Sequence, residues 1–217
     1  ELGDGSGQVL LNVLRDSLAG DARSADLLIP RVDLTRAFVA AALERLMAGG
    51  VELRLRSPVQ GLAHREGRWH IDSRHGAFTA DAVVLALPPD RAAQLLVTVE
   101  RDELAKTIEG LRSIAMAPIA TVYLRYPATV RLPWPACALL DDAAAERHGQ
   151  WVFDRGQLDD ANAGVLSVVI SADQSALSAD PNALATRVAA QLSAELGLPP
   201  PVAGATVAEK RATVVPR

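Results

Sequence analysis

The chain has 217 residues, of which 49% are hydrophobic and 22% charged, and its net charge at pH 7 is −4. This composition supports a sizeable buried core and excludes an intrinsically disordered protein. The negative net charge and an aromatic content of only 4% exclude the basic surface and stacking residues of a nucleic-acid-binding protein.

Two helices and a strand are predicted in the first quarter of the chain. Apolar residues at helical spacing predict a helix over residues 7–19, which Gly20 ends. A second helix is predicted from Asp33, a favourable N-terminal cap, to the glycine pair at 49–50. Charged and apolar residues alternate over residues 51–55, which predicts a strand with one solvated face.

A β-meander and a buried strand are predicted next. Turn signals at residues 66–68 and 74–76 indicate short antiparallel strands that start near residue 58. Residues 81–88 form an apolar run typical of a buried strand. That strand must stop at Pro88-Pro89, because proline cannot extend a central strand. The proline pair is therefore the predicted domain boundary.

The second half of the chain is predicted to combine helices with several strands. Helices are expected over residues 89–96, 102–111 and 182–196, and strands over residues 119–126, 137–140, 150–153, 165–171 and 203–212. This order of elements predicts a mixed sheet with flanking helices.

One combination of elements points to a cofactor. A helix ended by Gly49-Gly50, a strand, a meander and a buried strand closing in Leu87-Pro88 resemble the second segment of the flavin-binding domain in the flavin amine oxidase and phytoene desaturase superfamily. The resemblance implies that the backbone of Val59 contacts the adenine end of FAD, and that Leu87 and Pro88 pass close to the cofactor. The C-terminal ends of buried strands do meet the ligand crevice of a doubly wound sheet. Such strands also occur in other three-layer α/β proteins.

Four separated segments resemble one subgroup of that superfamily. They are residues 8–18 (QVLLNVLRDSL), 28–34 (LIPRVDL), 149–155 (GQWVFDR) and 209–213 (EKRAT). Together they resemble the squalene-associated FAD-dependent desaturases, or hydroxysqualene dehydroxylases, of bacterial hopanoid biosynthesis. The resemblance implies a flavoenzyme that removes the hydroxyl group of hydroxysqualene, a C30 isoprenoid, to give squalene.

The chain departs from the family pattern at both ends. The family opens with a Gly-x-Gly-x-x-Gly turn that seats the FAD pyrophosphate, whereas residues 3–7 are glycine-rich but follow no apolar strand. The family closes with a Gly-Asp segment, and this chain stops at Arg217 before reaching it. We therefore expect an interior fragment of a longer enzyme that retains no FAD by itself, turns over nothing and self-associates through an exposed apolar face.

The residue types near the expected flavin bear on the substrate. Amine oxidases of the superfamily carry a lysine on a strand after the second flavin segment, and the corresponding residues 118–122 (PIATV) contain none. This counts against amine oxidation and suits an apolar substrate.

Loss of an allylic hydroxyl group requires an acid that protonates it. A carboxylic acid kept neutral in an apolar cavity can supply that proton, and Asp16 and Asp154 are the candidate catalytic residues. Arg15 and Asp16 also form a plausible solvated ion pair on the polar side of the first helix. A substrate-binding role for Arg15 is the alternative that the resemblance implies.

Four further residues are candidates for binding the substrate, namely Tyr123, Trp151, Phe153 and Arg211. Trp151 and Phe153 alternate along a predicted strand, so both side chains face one side of the sheet. Packing in a core and lining an isoprenoid cavity are the two interpretations. Arg211 either contacts the substrate or points to water.

No metal or disulfide chemistry is predicted. The histidines, at positions 64, 70, 75 and 148, lack the spacing of a ligand set. Cys137 is the single cysteine, which excludes an internal disulfide and indicates a reducing compartment.

The predicted fold class is α/β to α+β, with part of a FAD-binding domain joined to a mixed-sheet substrate domain. Residues 1–26 are predicted to be a helical segment of the substrate domain, residues 27–88 the second FAD-binding segment, and residues 89–217 the substrate-binding domain. The expected partner is an apolar isoprenoid and not nucleic acid, in the cytoplasm or at the inner membrane surface, with peripheral membrane association left open. A flavin-free lipid-binding or interaction module is the alternative function.

Overall fold

The computed structural model describes residues 6–21, 23–26, 28–178 and 180–215, and the chain divides into two compact units. The meander unit is Ala42–Ala115, and the sheet unit combines Glu1–Ala41 with Met116–Arg217. The division into three ranges expected from the sequence stays a prediction.

The two helices expected near the start of the chain are confirmed. Helix α1 spans Gly7–Leu18, and the Ser6 hydroxyl group accepts the backbone N–H of Val9 at its first turn. A π-helical turn, Thr35–Val39, runs directly into helix α2, Ala40–Ala48. The Asp33 carboxylate accepts the backbone N–H of Arg36, as predicted for a cap.

The meander unit contains a three-stranded antiparallel sheet. Its strands, β1 (Val59–Arg65), β2 (Arg68–Ser73) and β3 (Gly76–Ala80), lie in chain order. The chain then forms helix α3 (Pro89–Val97), a 3-10 turn (Asp102–Leu104) and helix α4 (Ala105–Ser113). Leu62, Ile71 and Val99 form a small core.

A hydrogen bond anchors α3 to this sheet. The Leu62 N–H on β1 donates to Thr98 Oγ1, 2.8 Å away at the end of α3. Pro88 is the N-terminal cap of α3 and Pro89 occupies the first turn, where proline loses no helical hydrogen bond.

Two strands expected from apolar patterns are not formed. Residues 51–55 and 82–87 have no strand assignment, and Val84 is 90% exposed. An apolar pattern favours a strand, but the strand exists only where a neighbouring backbone accepts and donates its hydrogen bonds. Within the described residues, no strand pairs with either segment. The prediction of strands there is wrong for this structure.

The sheet unit contains a five-stranded sheet in the order β5-β6-β7-β4-β8, and each pair described is antiparallel. Its strands are β4 (Met116–Arg125), β5 (Ala136–Ala138), β6 (Trp151–Asp154), β7 (Val165–Ser171) and β8 (Ala203–Val214). Short 3-10 turns occupy Ala143–Ala145, Arg155–Gln157 and Asp160–Asn162. Helices α5 (Gln174–Ser178) and α6 (Pro181–Leu196) connect β7 to β8. The predicted combination of helices and sheets is confirmed. The sheet expected to be mixed is antiparallel in every described pair, because hairpins and loops, and not helical crossovers between parallel strands, join its neighbouring strands.

Helix α6 covers one face of this sheet. Its beginning is set by Asp180, whose carboxylate accepts the N–H groups of Asn182 and Ala183, and its end by Gly197 at φ 66°. The core between helix and sheet consists of aliphatic side chains, among them Val122, Leu124, Val152, Leu166, Val168, Leu184, Val188 and Leu192. The opposite face of the sheet carries the residues described next.

Candidate functional site

The face of the five-stranded sheet that α6 does not cover carries three aromatic side chains, Tyr123, Trp151 and Phe153, which we call the aromatic face. Phe153 on β6 lies opposite Ser167 on β7, and Ser167 lies opposite Tyr123 on β4. Directly paired residues point to the same side of a sheet, so Tyr123 and Phe153 share a side. Trp151 lies two residues before Phe153 and shares it too. The structure therefore brings these three predicted substrate residues onto one surface.

The rings of Trp151 and Phe153 are close and nearly parallel. Their centroids are 6.5 Å apart and their planes form an angle of 28°. Trp151 is 40% exposed and Tyr123 39% exposed. Burial alternates along β6, with Val152 and Asp154 on the covered side. The aromatic side chains are thus not part of the core.

Two adjacent rows of paired residues cross the aromatic face of the sheet, and none of the residues in these rows is charged. One row is Ala136, Phe153, Ser167, Tyr123 and Ala205, and the other is Ala138, Trp151, Val169, Thr121 and Val207. Such a surface suits an apolar ligand better than a charged amine.

Asp154 lies on the other side of β6 and is completely buried. Its Oδ2 accepts the Leu132 N–H at 3.0 Å and a Gln157 Nε2 proton at 2.9 Å, and its Oδ1 accepts the Gly156 N–H at 3.0 Å. The carboxylate therefore caps the 3-10 turn after β6 and holds the loop before β5. The structure does not bring Asp154 to the aromatic face, and its catalytic assignment stays a prediction.

Arg15 and Asp16 form the ion pair expected on α1. Arg15 Nε lies 3.1 Å from Asp16 Oδ1, and the Asp16 side chain is 71% exposed. An exposed pair of this kind contributes at most about 1 kcal/mol to stability. Asp16 is therefore exposed to solvent in this structure, and its role as an acid stays a prediction.

Arg211 lies on the edge strand β8, and two strands, β4 and β7, separate β8 from β6. Its backbone N–H donates to Glu209 Oε1 at 3.1 Å. Arg211 therefore lies on the same sheet as the aromatic face, but two strands lie between it and Trp151.

The predicted cofactor residues lie in the meander unit. Val59 is the first residue of β1 and pairs with Ser73, and the pairing is irregular between Val59 and Gly61. The Val59 side chain packs against the small core. Leu87 is exposed and Pro88 caps α3. Apolar side chains beside the start of a strand fit the adenine end of a flavin nucleotide, and the contact itself stays a prediction.

A cavity of about 470 Å³ lies between α6 and the start of β8, away from the aromatic face. Small residues line most of it, including Ala185, Ala189 and Gly204, together with Leu124 from the covered side of the sheet. Among the described residues, none of the predicted site residues lines this cavity.

Sequence analysis missed a set of buried polar residues beside β6. Gln191 is buried on α6 among Val188 and Leu192, and His148 Nδ1 lies 2.7 Å from Asp173 Oδ2. The sequence does carry a signal for Gln191. Its neighbours at helical spacing are apolar, and a residue in such a position of a helix faces the core.

The Asp173 carboxyl group has a shifted pKa. Burial by itself raises that pKa, but hydrogen bonds from the Ser175 hydroxyl group, the Ala176 N–H and His148 outweigh burial and hold it below its usual value. The ionised form of Asp173 is therefore favoured by folding.

Asp173 should make the stability of the sheet unit depend on acid pH. Because the folded-state pKa is lowered, the stabilisation is present above the unfolded-state pKa and is lost as pH falls through the folded-state pKa. Between about pH 7 and about pH 3, we expect the native protein to lose more stability than Asp173→Asn does, by at most about 1 kcal/mol. Urea unfolding at both pH values measures this.

The matched control for that experiment is Asp159→Asn, which changes an exposed carboxylate that caps a 3-10 turn. It should keep most of the native acid dependence. An Asp173→Asn variant with the full native acid dependence would show that other groups cause it.

Metal-ligand clusters and membrane-spanning helices are two features absent from the described part of the chain. No group of three or more histidine, cysteine, aspartate or glutamate side chains there is arranged to hold a metal ion. Among those same residues, no helix is both long and apolar enough to cross a membrane.

Comparison with solved structures shows a shared fold. A putative protoporphyrinogen oxidase from Exiguobacterium sp. 255-15 matches at 17% identity and a TM-score of 0.58, over 82% of this chain and 40% of that chain. A CLA-producing fatty acid isomerase from P. acnes matches at 16% identity and a TM-score of 0.53, over 77% of this chain and 38% of that chain. A putrescine oxidase with redesigned cofactor binding matches at 12% identity and a TM-score of 0.58, over 82% and 42%.

These identities establish similarity of fold alone, and the chain spans about two fifths of the length of each matched structure. A search of curated proteins finds no match. The family model for flavin-containing amine oxidoreductases matches residues 34–216. Because this match covers most of the chain, the protein belongs to the flavin-containing amine oxidoreductase family.

Proposed function

We propose that this chain is part of a FAD-dependent oxidoreductase that converts hydroxysqualene, a C30 isoprenoid, to squalene in hopanoid biosynthesis. The family supplies the flavin and the oxidoreductase class. The observation that carries the choice of substrate is the aromatic face, with Tyr123, Trp151 and Phe153 on two uncharged rows of the sheet. In support, one structure of similar fold is named as a fatty acid isomerase, so this fold accepts an apolar chain.

The proposed reaction is a reductive loss of water. The substrate hydroxyl group takes up a proton and leaves as water, the allylic carbon becomes a cation, and that carbon gains a hydride. A bound reduced flavin supplies hydride transfer. The carbon is thereby reduced by two electrons, which the hydride would bring from the reduced cofactor.

The chain's own residues would bind the isoprenoid and protect the cation. Faces of aromatic rings attract cations, and an interaction of about 0.5–2 kcal/mol is typical. Stacked Trp151 and Phe153 would provide such faces while excluding water. Arg15 and Arg211 remain proposed substrate contacts. Asp16 and Asp154 remain the proposed acids, and either would donate the proton only from its neutral carboxylic acid form.

In the meander unit, the Val59 backbone is proposed to contact the adenine end of FAD, and Leu87 and Pro88 are proposed to pass close to the cofactor. Residues 27–88 are accordingly assigned to the FAD-binding domain, and residues 1–26 and 89–217 to the substrate-binding domain. Because the proposed substrate is a membrane lipid, we propose that the protein acts in the cytoplasm or at the inner membrane surface.

The test uses the full-length, FAD-containing enzyme of which this chain is proposed to be part. Squalene formed from hydroxysqualene under anaerobic conditions with reduced FAD is extracted and measured by mass spectrometry. We expect Trp151→Ala to lower the rate by about tenfold, the loss of a cation–aromatic interaction of roughly 1.4 kcal/mol. Trp134→Ala is the matched control, because Trp134 is an exposed tryptophan outside the aromatic face. It should leave the rate unchanged.

Oxidation of an amine, with no squalene formed, would overturn the proposal. Binding of squalene that needs no FAD, again without turnover, would instead support the flavin-free lipid-binding alternative.

A further inference from the structure

Strand β6 carries two of the three aromatic residues but has only four residues, Trp151–Asp154. It pairs with β7 over those four positions, and its other neighbour, β5, has three residues. A strand this short has few ladder hydrogen bonds to hold its register. A shift by one residue would turn Trp151 and Phe153 toward the core.

The segment immediately before β6 is held by a side chain of α6, the helix that covers the side of the sheet opposite the aromatic face. Gln191 on α6 brackets the backbone of Gly149: its Oε1 accepts the Gly149 N–H at 2.8 Å, and its Nε2 donates to the Gly149 carbonyl at 3.0 Å. The same Nε2 lies 3.0 Å from Glu195 Oε1, so Glu195 orients the amide. Gln191 thus satisfies both backbone groups of a buried residue, as a neighbouring strand would.

The next residue, Gln150, uses its own side-chain amide to bracket the backbone of Ser171 at the end of β7. Gln150 Oε1 accepts the Ser171 N–H at 2.8 Å, and Gln150 Nε2 donates to the Ser171 carbonyl at 3.1 Å. On the other side of Gly149, His148 pairs with Asp173. Three consecutive residues, 148–150, are therefore each fixed by a side-chain hydrogen bond.

Gly149 has no space for a larger residue. A Cβ atom there would lie 2.8 Å from Val168 Cγ1 and 2.9 Å from Gln191 Oε1. The backbone just before β6 therefore approaches α6 closely at this point, and the amide of Gln191 reaches it directly.

We propose that Gln191 is a positioning residue that sets the register of β6, and through it the orientation of Trp151 and Phe153 on the aromatic face. The assignment of that face to substrate rests on the function proposed above, whereas the effect of Gln191 on Trp151 does not. Truncation of the amide leaves the Gly149 N–H and carbonyl buried without these partners, which favours a local shift of the segment.

The test uses a protein whose only tryptophan is Trp151, made by Trp69→Phe and Trp134→Phe. In this background we compare Gln191→Leu with Leu184→Ala, which removes a buried side chain from the same helix without contacting Gly149. The readouts are the emission maximum and near-ultraviolet circular dichroism of Trp151, together with thermal unfolding and the quenching of Trp151 by squalene.

We expect Gln191→Leu to shift the emission maximum and reduce quenching by squalene several-fold. Leu184→Ala, at a comparable loss of thermal stability, should leave the emission of Trp151 unchanged. Gln191→Glu keeps the acceptor for the Gly149 N–H but loses the donor, and a smaller shift in the same direction is expected. It replaces Gln191→Leu in the comparison if that variant does not fold.

An unchanged emission spectrum in the Gln191 variants, or equal shifts in the Gln191 and Leu184 variants, would overturn the positioning role. Suppose that Gln191→Leu shifts the emission of Trp151 but squalene does not quench Trp151 in the parent protein. That result would support the positioning role and contradict the proposed substrate.

Discussion

Replacement of Asp154 by alanine is expected to lower the free energy of unfolding of the sheet unit by about 3–4 kcal/mol, because three hydrogen bonds to a buried carboxylate are lost. The N–H groups of Leu132 and Gly156 would remain buried without these acceptors, and Gln157 would lose one of its two contacts. Each such bond connects a different part of the loops around β6, so the loss is not confined to one turn. Urea unfolding at neutral pH measures the effect.

Asp159→Ala is the control for Asp154→Ala. Asp159 also caps a 3-10 turn, through the Ala161 N–H at 3.0 Å, but its side chain is exposed. Water replaces the carboxylate there, and a loss of about 0.5–1 kcal/mol is expected. Similar losses for both variants would contradict the view that burial makes Asp154 important.

The same position separates a structural role from the predicted catalytic one. Asp154→Asn keeps the size of the side chain and one acceptor oxygen, and it should destabilise less than Asp154→Ala. If Asp154→Asn stays folded but no longer forms squalene, the catalytic assignment gains support. If activity falls only in proportion to the folded fraction, Asp154 is a structural cap.

Gly164→Ala is expected to destabilise the sheet unit by about 3–5 kcal/mol, through a left-handed backbone and a backbone overlap together. Gly164 has φ +75°, and a Cβ atom would lie 2.5 Å from the Tyr126 carbonyl oxygen and 2.8 Å from that of Pro127. Its own carbonyl accepts the Tyr126 N–H at 2.7 Å, so the two segments cannot separate without losing that bond.

Gly197→Ala isolates the contribution of the overlap. Gly197 has φ +66°, nearly the same backbone conformation, but no atom lies within 4 Å of its Cβ position. This variant should cost about 1 kcal/mol, the penalty for a non-glycine residue in a left-handed conformation. Equal losses at the two positions in chemical denaturation would show that the conformation, and not the contact, dominates at Gly164.

Sequence patterns predicted correctly those helices and strands whose ends are set by residues close by in the chain. Helix α6, expected over residues 182–196, spans Pro181–Leu196, because Asp180, Pro181 and Gly197 act within one turn of its ends. Strand β7, expected over residues 165–171, spans Val165–Ser171. The alternation of Trp151 and Phe153 likewise follows from the two-residue period of a strand, and the structure has both on one side.

Pairing partners and burial were decided by contacts between residues distant in sequence. Residues 51–55 and 82–87 have the apolar pattern of strands but form none in the described chain, because a strand requires a second backbone beside it. The sequence pattern placed Asp154 next to aromatic residues, and only the fold showed its carboxylate bonded to Leu132 on the covered side of the sheet. Gln191 lies 42 residues from Gly149, and no pattern within one window of sequence connects them. The sequence by itself thus determined where helices begin and end and which strand residues share a side, because those properties follow from backbone periodicity and nearby caps. The tertiary structure decided which sides are buried and which polar groups find each other, since those depend on the packing of separate segments.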